Sequence, residues 1–80
     1  MFIIVMLCND LGRFYIDYIN ESFDDFEKAQ DRMYKCVNEE LESLKECGEE
    51  FEVVNLNKEV VIYDENKEPI TQYEIININK

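Results

Sequence analysis

The sequence predicts an α+β fold in which one long amphipathic helix packs on a mostly antiparallel β-sheet, in the order ββαβββ with four or five strands. Three observations carry this expectation. Ser22 to Gly48 holds the only long stretch with helical periodicity. Short β-type runs rich in Ile, Val, Phe and Tyr stand on both sides of it. Turn-forming residues separate those runs. A single helix covering one face of a sheet is the natural two-layer arrangement for such a pattern. The 80 residues are read as one domain, 1–80, with no internal repeat, linker or low-complexity segment.

Phe2-Ile3-Ile4-Val5-Met6-Leu7 is continuously apolar and β-branched, which suits a buried strand near the sheet centre. Asn9-Asp10-Leu11-Gly12 follows as a turn. Phe14 to Ile19 then alternates, with Phe14, Ile16 and Tyr18 on one face and Tyr15, Asp17 and Ile19 on the other. The two runs read as a hairpin.

At 100° per residue, Phe23, Phe26, Ala29, Met33, Tyr34, Cys36, Val37, Leu41, Leu44 and Cys47 share one broad stripe, so a helix over Phe23–Cys47 is expected. Ser22 with Asp25 reads as a shortened capping box, and Gly48 as the left-handed residue that closes the helix. Asp24–Lys28 and Asp31–Lys35 have the spacing of supporting i,i+4 ion pairs. Gln30 and Glu40 interrupt the apolar stripe. Both are expected to extend their polar ends toward water at the sheet edge, and a partner-facing role is the other reading for Glu40.

Beyond the helix, Phe51–Val54 reads as a short strand, Asn55–Lys58 as a turn and Val60–Tyr63 as a strand. Asp64–Pro69 reads as a polar loop, and Ile70–Ile78 as the last strand. Asp64-x-Asn66-x-Glu68 imitates the start of a calcium-binding EF-hand loop. Pro69 stands where the sixth-position glycine belongs and Ile75 where the twelfth-position glutamate belongs, so a hairpin loop is expected instead.

Composition narrows the function classes. There is no histidine, which removes the commonest general base and metal ligand. The two glycines, Gly12 and Gly48, cannot form a phosphate-binding loop. Neither serine, Ser22 nor Ser43, has a base in prospect. A non-enzyme with no cofactor, metal or catalytic residue is therefore expected. Cys8, Cys36 and Cys47 are odd in number and lack zinc or redox spacing. Cys36 and Cys47 lie about 16 Å apart on a helix, too far to bond. Free thiols, mostly buried, are expected, in a reducing, cytoplasmic setting. The N-terminal apolar run is too short to span a membrane and lacks signal-peptide features.

The net charge of −11 and the pI near 4.2 disfavour nucleic acid and anionic membrane, and favour a basic protein surface. Between Asp24 and Lys35 the acids and bases nearly balance. From Glu39 on they do not, because Glu39, Glu40, Glu42, Glu46, Glu49, Glu50 and Glu52 face one Lys45. Those acids crowd the negative end of the helix dipole, where each costs roughly 0.3–1 kcal/mol. Glu39, Glu42, Glu46, Glu49 and Glu50 are the candidate partner-binding residues. Tyr15 and Tyr73 are candidate exposed anchors.

In size, acidity and layout, the chain resembles small phage-encoded inhibitor proteins of the anti-CRISPR and DNA-mimic type. The stretch Asn38-Glu39-Glu40-Leu41-Glu42-Ser43-Leu44-Lys45-Glu46-Cys47-Gly48-Glu49-Glu50 carries this likeness, as a row of carboxylates in place of phosphates. The resemblance implies an inhibitor that occupies the basic surface of a host protein, a nucleic-acid-binding effector, in the host cytoplasm. Two other classes stand beside it: a small ligand-binding or sequestering homo-oligomer, and a structural module that self-associates through an exposed strand edge.

Overall fold

A computed structural model describes residues 1–10 and 12–78. The elements follow the expected order: β1 (Phe2–Asp10), β2 (Arg13–Tyr18), α1 (Phe26–Glu46), β3 (Phe51–Leu56), β4 (Glu59–Asp64) and β5 (Pro69–Asn77). All five strands join one antiparallel sheet in the order β2-β1-β5-β4-β3. The long apolar β1 and the C-terminal β5 pair in the middle, and the two most exposed strands, β2 and β3, form the edges. The helix connects one edge to the other. Its 21 residues reach about 31 Å, enough to cross five strands spaced about 4.8 Å apart.

The helix lies over β1 and β5. Alternation along the strands sends Ile4, Val60, Ile62, Tyr73 and Ile75 to the helix side, where they meet Ala29, Met33 and Val37. Ile4, Ile62, Ala29 and Met33 are fully excluded from solvent. Burial of this kind stabilises by about 1.5–3 kcal/mol per large apolar side chain and is what holds so short a chain folded.

Several boundaries differ from the sequence reading. The helix begins at Phe26, not Phe23, and its N-cap is Asp25, whose Oδ1 accepts from the Glu27 N–H at 2.9 Å. Phe23 is drawn into the sheet instead, its N–H donating to Phe2 O at 2.9 Å and its carbonyl accepting from Phe2 N–H at 2.7 Å. Two backbone bonds to a fixed strand outweigh an extra helical turn with frayed ends. The helix stops at Glu46, leaving Cys47 as the C-cap. Gly48 takes φ 72°, its N–H donates to Lys45 O at 3.0 Å, and the Glu49 N–H donates to Leu44 O at 3.1 Å. That pair of bonds is a Schellman motif, and the left-handed residue it needs is the expected glycine. The Asp24–Lys28 ion pair does not form, since Asp24 precedes the helix, and Asp31–Lys35, though both lie on the helix, does not close to ion-pair distance either. The ion pair among the described residues is Arg32–Glu21 at 3.2 Å.

Strand β3 runs through Asn55 and Leu56, so the expected turn shrinks to Asn57-Lys58. Gln30 Nε2 holds that turn, donating to Asn57 O at 2.7 Å, so its polar end is tied to the fold rather than extended into water. The expected Asp64–Pro69 hairpin loop forms, but it is shorter, residues 65–68, because Asp64 ends β4 and Pro69 opens β5. Asp64 Oδ1 accepts from the N–H groups of Asn66 and Glu68, each at 2.9 Å, and Lys67 adopts φ 64°. Pro69 occupies the first residue of the central strand β5, beside a register shift at Ile62/Tyr63, where a missing N–H is tolerated. In the β1–β2 turn, Leu11 lies outside the described residues.

All three cysteines are free, but the expected burial is corrected: Cys8 and Cys36 are half-buried and Cys47 is exposed. The C-cap position turns Cys47 off the packed stripe. Among the described residues, no helix is long and apolar enough to cross a membrane.

Candidate functional site

The antiparallel register decides which acids meet. In the β3–β4 hairpin Phe51 pairs with Asp64, so the residues just before β3 face those just after β4. Glu49 and Glu50, in the helix–β3 connection, therefore line one open hollow of about 450 Å³ with Asp64, Glu65 and Asn66 of the β4–β5 loop. A neighbouring depression joins Glu49, Asp64 and Glu68 to Asn9 and Gly12 at the far end of the β1–β2 hairpin. Three connections thus converge on one end of the sheet. Because Phe26 stacks edge-on against Phe2 at the opposite end, with centroids 5.6 Å apart, the helix points its negative C-terminus at this acidic end.

Of the sequence-predicted site residues, Glu39, Glu42 and Glu46 are exposed along one side of the last helical turns. Glu49 and Glu50 are exposed at the hollow. The structure brings the latter two together with Asp64, Glu65 and Glu68, which the sequence reading assigned only to a loop. The helical three form a ribbon leading to the hollow. Lys45 and Lys67 are the nearby bases in these segments, each exposed. The signal for the missed acids lies in the hairpin itself. Antiparallel pairing about the Asn57-Lys58 turn places position 50 opposite position 65.

Glu40 differs from its neighbours. It does not extend into water, nor does it face outward to a partner. Its Oε1 accepts from Tyr73 Oη at 2.6 Å and its Oε2 from Thr71 Oγ1 at 2.7 Å. Tyr73 is 3% exposed, which removes it as a surface anchor. Burial raises the Tyr73 phenol far above its ordinary range, helped by the hydrogen bond to Glu40 and by that carboxylate's charge. The half-buried Cys8 thiol is also raised, chiefly by burial. Charge-assisted bonds of this kind hold the helix to β5. They make Glu40 a structural residue inside an otherwise solvated acidic ribbon. Tyr15, at 52% exposure, stays on the surface as expected.

Among the described residues no group of three or more His, Cys, Asp or Glu side chains is placed to hold a metal ion. No protein-family model, curated protein or solved structure matches the chain.

Proposed function

We propose that this chain is a non-catalytic inhibitor-type binding domain that docks its acidic end and helix ribbon onto a basic, nucleic-acid-binding surface of another protein. The observation that carries the reading is the convergence of Glu49 and Glu50 with Glu65 and Glu68 at the end toward which the helix C-terminus points. Fold stability does not ask for this arrangement, since like charges at a helix C-terminus oppose the dipole. A basic groove built for phosphates would find closely set carboxylates there instead. Long-range attraction speeds encounter, and exposed tyrosine and aliphatic side chains set the lifetime of the complex. The likeness to small phage inhibitors points the same way.

The test is a matched pair of baits in host extract. One is the natural chain, and the other carries Gln at Glu39, Glu42, Glu46, Glu49 and Glu50. A nucleic-acid-handling protein retained by the first, lost from the second and eluted by salt supports the reading. Identical retention on both baits, with the variant folded, refutes it.

A further inference from the structure

We infer that the β2 edge of the sheet is a self-association surface, through which two copies of the chain join β2 to β2 about a two-fold axis at Ile16. Strand β2 ends the sheet and, among the described residues, pairs only with β1. The phase of its hydrogen bonds follows from the Ile19 N–H donating to Ile4 O at 3.1 Å. Ile19 thus points its peptide at β1, and by alternation so do Asp17, Tyr15 and Arg13. Phe14, Ile16 and Tyr18 turn their N–H and C=O groups outward, to the open edge. A second contact agrees: the Tyr18 N–H donates to the side chain of Asp17 at 2.8 Å and not to β1.

One antiparallel register satisfies every requirement of self-pairing. With Ile16 opposite Ile16 of the second copy and Phe14 opposite Tyr18, all outward N–H and C=O groups of these three residues find partners, the Tyr18 N–H exchanging its Asp17 side-chain acceptor for the facing Phe14 carbonyl. The same register keeps like faces together, since residues directly opposite share a face. Phe14, Ile16 and Tyr18, at 59%, 74% and 62% exposure, then form one aromatic-aliphatic stripe across the axis. On the helix side, Arg13 of each copy becomes the diagonal neighbour of Asp17 of the other, within reach of a long side chain. A shift by one residue would place Phe14 against Asp17 and turn the faces over.

Charge selects this edge over the alternatives. The other edge, β3, begins beside Glu49, Glu50 and Glu52, where a second acidic copy is repelled. Stacking the helix-free faces of two sheets would desolvate Glu59 and Glu74, which already sit opposite each other. Pairing at β2 leaves those acids in water and the acidic end open. The two helices, each over β1 and β5, then lie about 20 Å apart, given a strand spacing of about 4.8 Å. They neither collide nor, at about 0.15 M salt, where charges are screened beyond about 8 Å, repel strongly.

Sedimentation of the full chain from micromolar to millimolar concentration tests this. A reversible monomer–dimer equilibrium is expected, tightening roughly tenfold between about 0.01 M and about 0.15 M salt as repulsion is screened. This sign is opposite to that expected for a basic partner. Ile16→Lys should weaken the dimer at least about tenfold, while Ile76→Lys, on the helix-free face but off the edge, should not. Amide exchange on the unmodified chain gives a reading that needs no variant: Phe14 and Ile16 amides should slow as concentration rises, and β3 amides should not. A monomer at every concentration overturns the inference. So do assembly beyond the dimer, which signals β2-to-β3 pairing, and a dimer lost with Ile76→Lys but kept with Ile16→Lys, which signals stacked faces.

Discussion

The two faces of the sheet have nearly the same apolar content and opposite fates. The helix side carries Ile4, Val60, Ile62, Tyr73 and Ile75 under the helix, almost wholly excluded from water. The other side carries Ile3, Val5 and Leu7 of β1, Ile16 of β2, Ile76 of β5 and Val54 of β3, with no second layer over them among the described residues. Val61, at 7% exposure, is the exception, shielded within the sheet. One face therefore carries the stability, and the other, with the edges and the acidic end, stays open to solvent.

The largest expected effect is on the covered face. Ile62→Ala should lower unfolding free energy by about 2–5 kcal/mol, read by urea denaturation, because the cavity under the helix cannot collapse fully. A loss comparable to that of an exposed residue would show that the helix-covered face is not the stabilising one.

Next comes the polar clasp between helix and β5. Glu40→Ala strands the buried Tyr73 hydroxyl and should cost about 1.5–3 kcal/mol. The same pair sets an alkaline dependence. The folded state holds the Tyr73 phenol neutral above its ordinary value near 10, while the unfolded chain ionises it there. Its contribution is therefore fully present below about pH 10 and is lost as pH rises beyond it. In Glu40→Ala that alkaline fall should become shallower without vanishing, since burial, the larger cause, remains. Chemical denaturation at stepped pH reads both.

A smaller effect is expected at the helix start. Asp25→Ala should cost about 0.5–2 kcal/mol and Ser22→Ala almost nothing, which separates the observed cap from the one the capping-box pattern suggested. The smallest belongs to the open face: Ile16→Ala should change monomer stability by less than about 0.5 kcal/mol at low protein concentration.

Much of this was legible in the sequence, for reasons specific to each element. The stripe from Phe26 to Leu44 has one period and one solution. The glycine at 48 could end the helix in only a few ways. The runs at 2–7 and 60–63 have no competing pattern. What was not legible depended on partners distant in sequence. Phe23 satisfied the helical period but lay within reach of Phe2. Glu40 looked misplaced until Thr71 and Tyr73 arrived from a strand more than thirty residues away. Glu49 and Glu50 were visible as acids near a helix end, but their union with Asp64, Glu65 and Glu68 depended on hairpin register, which the expected Asn55–Lys58 turn sets differently from the observed Asn57-Lys58 turn. Local periodicity carried the elements; pairing across the sheet made the site.

The most direct measurement of the central claim, that the acidic end engages a basic surface, is the association rate with the protein retained by the natural bait. It is followed by stopped flow at about 0.01 M and about 0.15 M salt, where the screening length falls from about 30 Å to about 8 Å. Glu49, Glu50, Glu65 and Glu68 are changed together to Gln in a variant whose melt confirms the fold. For the natural chain the association rate should fall steeply with salt, and for the variant it should be slower and nearly salt-independent, with dissociation little changed. Equal rates and equal salt slopes for the two proteins would contradict it.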